Sequence, residues 1–482
     1  MRTTAWVVVG VLGCGQSAQP EAIDAAQDSL LEVATDADAA VDASKPTLQV
    51  RWALPVSMDR LTSIGAGQAG GVLLVGTGPG LGKDLLGTKI DASRDDAFVA
   101  LVDVDGRLVR TRALGGTTVE IGVGGAVDTD GSVFVSLRTP LAGETLGPGC
   151  LPVLTSNPDS LTLVHLGPDL ACLLVDNWLA LGGGFAEPGY NAAVFAPSAG
   201  TLFMGFRGSS MTIKGKTQGP LLASAIDRSG GALKWTLTLP PDDPVACKAS
   251  GACVFGAQSM AAVPGGVVVG SGSDSVTGAK YALALSKVAS DGKPVWTKRL
   301  RCAVEGGCEV GGSERPTIEV VGDSAGNAFI TARFTGRLAV FGTTLDAGAN
   351  QATFVAKIDP SGEALWVRLL RSTGTVAASL GSNGVSLDGS GNLAVAVQFA
   401  TALDLDGRTV ATGATESTAL VLFDAAGTVM DAPVIGGPDL TQGIGVAPAP
   451  DGFYFAVVTA KGAALRGTTI PSGYALGRLR LQ

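Results

Sequence analysis

Thr353–Leu370 reads "TFVAKIDPSGEALWVRLL". Apolar and polar residues alternate up to Ile358, the period of a half-buried strand. Asp359-Pro360-Ser361-Gly362 then carries turn chemistry, and a second strand follows through Trp366. The stretch is a β-hairpin. The same phrase returns in looser spellings. "DAFVALVDVDGRLVRTRAL" starts at Asp96 and "SLTLVHLGPDLACLLVDNW" at Ser160. "PLLASAIDRSGGALKWTLTL" starts at Pro220, "YALALSKVASDGKPVWTKRL" at Tyr281 and "TALVLFDAAGTVMDAPVI" at Thr418.

A second hairpin precedes each of these. Its clearest copies are "AVDTDGSVFVSL" from Ala126, "VVGDSAGNAFITARF" from Val320, "VSLDGSGNLAVAVQF" from Val385 and "APAPDGFYFAVV" from Ala447. Two hairpins make a four-stranded antiparallel unit, repeating about every 60 residues, which is the pattern of a β-propeller blade. The last unit, ending "GYALGRLRLQ", lacks its fourth strand; "TLQVRWALPV" from Thr47 is a fourth strand with no third before it. We therefore expect an all-β, seven-bladed β-propeller over residues 47–482, four antiparallel strands per blade, its ring closed by the N-terminal strand. Trp52, Trp235, Trp296 and Trp366 share one position in the unit and are expected to pack between neighbouring blades. Arg110, Leu174 and Asp431 hold that position in other units, where looser packing is expected.

Composition agrees. Of 482 residues, 69 are glycine and only 16% are charged, while 46% are hydrophobic. A chain so rich in turn formers and so poor in Glu, Lys and Arg does not build long amphipathic helices. The net charge of −9, without a Lys/Arg stripe, excludes a nucleic-acid footprint.

Phe334–Trp366, "FTGRLAVFGTTLDAGANQATFVAKIDPSGEALW", resembles the repeats of bacterial seven-bladed propeller proteins of the SBBP type. The resemblance implies a propeller at the cell envelope, many members being secreted or lipid-anchored, and implies no reaction. Ala225-Ile226-Asp227 through Trp235, and Gly292 through Trp296, also resemble the tryptophan-docking repeat of quinoprotein dehydrogenases. Those enzymes commonly hold their quinone beside a disulfide between adjacent cysteines. No Cys-Cys pair occurs here, so the motif is taken as blade packing and no cofactor is expected.

The N-terminus gives an address. Arg2, an apolar Ala5–Leu12 too short to span a membrane, and Val11-Leu12-Gly13-Cys14 resemble a bacterial lipobox. The resemblance implies a signal peptide over 1–13, lipidation of Cys14 and membrane attachment through that anchor. Gly15, in place of Asp, implies the outer membrane, facing periplasm or cell surface. An ordinary signal peptide with a stray cysteine is the other reading. Residues 14–46 are Ala/Asp-rich without aromatics and read as a disordered tether.

Setting Cys14 aside leaves an even number of the seven cysteines, as an oxidising compartment favours. Cys247 with Cys253, and Cys302 with Cys308, bracket short glycine-containing gaps suited to disulfides; Cys150 and Cys172 form the third pair. A metal site is the rival reading, but one histidine and no C-x-x-C speak against it.

Candidate chemistry is thin. Glu120 and Glu319 lie on first strands, which line the central channel, and are the weak catalytic candidates for a carbohydrate-active hydrolase or lyase. His165 sits mid-strand and reads as structural. Asp-x-Asp-Gly at Asp103, Asp128 and Asp404 could suggest calcium, but no closing glutamate follows, and Asx-type turns are the simpler reading. The long connections Gly78–Asp95, Pro140–Asp159, Ala400–Glu416, Pro240–Gly256 and Cys302–Gly312 emerge on one face. Binding of a protein or glycan partner, or a scaffold role, is expected there.

Overall fold

The computed structural model describes residues 46–58, 60–78, 84–86, 88–89, 96–115, 121–138, 146–150, 160–180, 193–198, 200–206, 211–213, 216–218, 223–227, 232–238, 255–273, 283–302, 308–310, 318–348, 350–374, 384–437, 441–459 and 462–482. Cys14, Glu120, Cys247 and Cys253 lie outside the described residues.

The opening hairpin forms as written. Ala352–Ile358 pairs antiparallel with Ala364–Ser372, and the register shifts by one residue at the turn. Asp359 makes that turn. Its Oδ1 accepts the N–H groups of Ser361 and Glu363 and the Ser361 hydroxyl. The Ser361 hydroxyl, then the Glu363 N–H, hold its carboxyl below the usual range. Gly362 takes φ +87°, which a side chain would resist. Asp103, Asp323, Asp388 and Asp424 repeat the device, each accepting N–H groups two and four residues on.

Four-stranded antiparallel meanders follow one another along the chain, and we name each by the residue at the tryptophan position. The Arg110 sheet is Arg60–Ala66, Val72–Thr77, Ala97–Val102 and Leu108–Leu114. The Leu174 sheet is Ile121–Val127, Val133–Arg138, Ser160–Leu166 and Cys172–Ala180. The Trp235 sheet is Ala193–Ser198, Thr201–Phe206, Ala223–Asp227 and Leu233–Leu237. The Trp296 sheet is Phe255–Val263, Gly266–Ser273, Leu283–Ala289 and Pro294–Cys302.

The Trp366 sheet is Ile318–Gly322, Ala328–Val340, Ala352–Ile358 and Ala364–Ser372. The Asp431 sheet is Val385–Leu387, Leu393–Leu405, Arg408–Phe423 and Val429–Asp431. The Trp52 sheet takes Thr441–Ala449, Gly452–Thr459 and Gly473–Leu481 from the C-terminal end, and Leu48–Pro55 from the N-terminal end. Thr47 and Gln482 exchange backbone hydrogen bonds.

Neighbouring sheets stack face to face, as in a β-propeller. Along Ala328–Phe334 the residues alternate sides: Ile330, Ala332 and Phe334 pack with Leu285 and Val268, while Phe329 packs with Val395 and Phe423. Inner strands touch directly. Thr62 donates to the Gly122 carbonyl and Ser259 Oγ accepts the Val320 N–H, while from the third strand of the Asp431 sheet Thr418 donates to the Thr441 carbonyl.

The tryptophans do pack between sheets, and the structure shows how. The indole Nε1 of each donates to a turn carbonyl of the next sheet's outer hairpin: Trp52 to Val104, Trp235 to Ser290, Trp296 to Pro360 and Trp366 to Ala425. The positive-φ turn glycines Gly106, Gly292, Gly362 and Gly427 lie against the rings, where a Cβ would come within 3.3 Å. A cation opposite the tryptophan donates to the same carbonyl. Arg478 stands opposite Trp52, Lys287 opposite Trp296 and Lys357 opposite Trp366.

Looser packing at Asp431 is overturned, while Arg110 stays exposed. Arg110 Nη1 donates to the Pro168 carbonyl at 2.7 Å, the bond an indole makes elsewhere. Asp431 is buried, and it accepts the Leu48 N–H at 2.7 Å and pairs with Arg466. Leu174 is half-buried, and residues 228–231 in the next sheet's turn lie outside the described residues.

Tyr454 stitches the Trp52 sheet to the Arg110 sheet. Its hydroxyl donates to the Gly70 carbonyl at 2.7 Å, and its ring lies 5.9 Å from that of Trp52. Burial, more than the nearby Asp103, Asp451 and Asp105, pushes its pKa up to about 12. Tyr454→Phe is expected to cost about 1 kcal/mol at neutral pH. A raised folded-state pKa means that the tyrosine's contribution is complete below about pH 10 and is lost as pH rises through about 12. Urea unfolding of both proteins at pH 8 and pH 11 checks this: the difference should shrink at the higher pH.

Candidate functional site

Strands two and four of each sheet end on the same face, where the long connections lie. The Ala400–Glu416 connection, expected as a loop, is instead strand on both sides. Leu393–Leu405 runs out to a tight turn at Asp406-Gly407 and Arg408–Phe423 returns. Such arms recur as Asp84–Leu85 with Thr88–Lys89, Met211–Ile213 with Lys216–Gln218, the end of Ala328–Val340 with Thr343–Asp346, and Ala464–Leu465 with Thr468–Thr469. Phe341-Gly342, Asp406-Gly407 and Arg466-Gly467 all take positive φ, the requirement of a two-residue turn that follows strand twist.

Three arms pair with the outer strand of the preceding sheet, and a fourth pairs with Val434–Gly436, the short strand that follows Val429–Asp431. Ala180 stands opposite Met211, Cys302 opposite Leu338, Arg371 opposite Asp404 and Gly436 opposite Ala464. Leu85, Leu338, Leu403 and Leu465 anchor the arms, and none of them is exposed. Outside the anchors the arms present Thr343, Thr344, Arg408, Thr409, Thr468 and Thr469 to solvent. Hydroxyls, scattered charges and short return-strand edges make this a hydrogen-bonding surface. Sequence reading missed the arms, although the recurring leucine, x-Gly and threonine signalled them.

Within the Leu174 sheet a disulfide ties the connection between its second and third strands to its outer strand. Cys150 and Cys172 are bonded, as expected. Arg112 reaches in from the Arg110 sheet, donating to the carbonyls of Leu170 and Pro148. Burial lowers its pKa and Asp169 offsets this. Cys150→Ser with Cys172→Ser is expected to cost roughly 3 kcal/mol, by the loop-entropy argument for a separation of 22 residues. Chemical unfolding of that double variant measures it. Cys302 is also disulfide-bonded.

Of the two catalytic candidates, Glu120 lies outside the described residues. Glu319 is half-buried on its inner strand, opposite Thr331. His165 stacks on Phe134 at 4.3 Å, a packed position. The Asp-x-Asp-Gly carboxylates serve their own turns: Asp103 and Asp128 accept following N–H groups, and Asp404 accepts the Thr409 hydroxyl. Among the described residues no group of three or more His, Cys, Asp or Glu is placed to hold a metal ion. No helix there is long and apolar enough to cross a membrane.

No family model matches the chain, and no curated protein does. Solved structures do. A β-propeller domain from Myceliophteria thermophila is 9% identical, with a TM-score of 0.45, covering 90% of this chain and 100% of its own. A member of the DUF4221 family from Bacteroides vulgatus is 9% identical, with a TM-score of 0.37, covering 91% and 99%. A PQQ-bound aldose sugar dehydrogenase from Streptomyces coelicolor is 10% identical, with a TM-score of 0.33, covering 91% and 99%.

Proposed function

We propose that the protein is a lipid-anchored propeller of the bacterial cell envelope, of the SBBP type, that binds a partner through its arm face. In this reading the sheets are seven blades in one ring, and Leu48–Pro55 closes it. The pairing of Leu48–Pro55 with Gly473–Leu481 supports closure, as does the bonding of the Trp52 sheet to Val104 and Gly70 of the Arg110 sheet. Cys14 carries the lipid, and residues 14–46 hold the propeller off the outer membrane.

The observation that carries a binding role is the interlocked arm face. Arms paired to the preceding sheet hold a broad polar surface in one shape. Little entropy is then lost when a protein or glycan partner docks.

Two experiments test the reading. Palmitate labelling of cells is expected to mark the wild type and to vanish in Cys14→Ala; labelling that persists sinks the anchor. Cross-linking in the native envelope from cysteines placed at Thr343 and Thr409 should capture one recurrent partner, whereas cysteines on the hairpin-turn face at Asp105 should not.

A further inference from the structure

We infer that the opposite, hairpin-turn face carries a small-molecule site for a neutral sugar, a claim independent of the partner proposed for the arms. A cavity of about 380 Å³ opens between the Trp235, Trp296 and Trp366 sheets, within the roughly 300–1,000 Å³ of small-molecule pockets.

Turn length explains the gap. At sister junctions a side chain from one turn fills the next. Gln68 donates to the Gly131 carbonyl, and Pro450 lies where a Cβ on Gly70 would sit. In the Trp296 sheet the inner hairpin turns in two residues, Pro264-Gly265, while its neighbour turns through Asp323–Asn327. Nothing approaches within 4 Å of the positions a Cβ would take on Gly200 or Gly265.

The lining sets the ligand class. Phe203, Val263 and Pro264 give an apolar wall, and the hydroxyl-bearing Thr201, Ser290 and Ser324 stand around it. The charged groups at the rim are committed. Lys234 Nζ donates to the Gly200 carbonyl and to Thr201, with Asp227 at 3.5 Å. Asp323 accepts the N–H groups of Ala325 and Asn327 and the Asn327 amide. An anionic ligand therefore finds no uncommitted cation among these groups and meets the Asp323 carboxylate, whose remaining lone pairs can accept a sugar hydroxyl. An apolar wall facing hydroxyls suits a pyranose ring, which has one C–H face and a polar rim.

Saturation-transfer NMR on the purified chain with glucose, galactose, N-acetylglucosamine and glucuronic acid tests this. A neutral sugar is expected to bind with a Kd on the order of millimolar. Thr201→Val, which removes one hydroxyl, should weaken it about tenfold. Ser324→Phe, at an exposed position, should fill the cavity and abolish transfer while the melting curve stays unchanged. No transfer to any neutral sugar, equal transfer to glucuronic acid, or transfer that survives Ser324→Phe in a folded protein would each overturn the site. None of these outcomes bears on the arm face, whose test is cross-linking.

Discussion

Trp366→Ala is expected to destabilise the protein by about 2–3 kcal/mol, less than the roughly 3–5 kcal/mol for emptying a fully buried aromatic site, because Trp366 is half-buried. The ring lies 6.1 Å from Phe423 and 6.1 Å from Phe329, so it is shared between two sheets. Its indole also donates to Ala425, whose carbonyl would be left with Lys357 alone at 3.5 Å. Trp366→Phe separates the two contributions: it keeps most of the ring and removes the donor, and should cost about 1–2 kcal/mol. Denaturant midpoints of the three proteins measure both. If Trp366→Ala falls within about 1 kcal/mol of wild type, the ring is not what joins these sheets.

Asp431→Ala is expected to cost about 2–4 kcal/mol and to loosen one strand in particular. The carboxylate accepts the N–H of Leu48, a fully buried residue, and pairs with Arg466, which is about one-third exposed. Alanine leaves a buried N–H without an acceptor and frees the arm turn that Arg466 occupies at φ +48°. Asp431→Asn keeps an acceptor and loses the charge, so it should recover part of the loss. Hydrogen exchange gives the sharper readout, because amides of Leu48–Pro55 should exchange faster while those of Ile318–Gly322 do not. Destabilisation without faster exchange in Leu48–Pro55 would refute the role assigned to Asp431 at this junction.

The aspartate also explains a departure visible in the repeat. At five other junctions a tryptophan or arginine donates to a carbonyl in the next sheet's outer turn. The Trp52 sheet has no such turn, because Thr47 and Gln482 stand there. What it offers is an N–H, and an acceptor at the tryptophan position is the residue that can use it. The loose packing expected at Asp431 followed from size alone, and the donor-acceptor match outweighs size in a buried position.

Local chemistry made the hairpins legible. Asp359-Pro360-Ser361-Gly362 forms its turn through bonds spanning two to four residues, and strand alternation has a period of two, so both can be read without knowing the fold. The four-stranded unit and the shared tryptophan position follow from repetition of those signals. The sequence by itself thus determined the all-β class, the unit, its boundaries and the Cys150–Cys172 pair. Only the tertiary structure decided which carbonyl each indole meets, that Arg110 makes the same bond, that Leu403 and Leu338 anchor arms on the preceding sheet, and that a short turn at Pro264-Gly265 leaves a cavity. Those contacts join residues tens of positions apart on different sheets. They depend on how sheets stack, which no local period records.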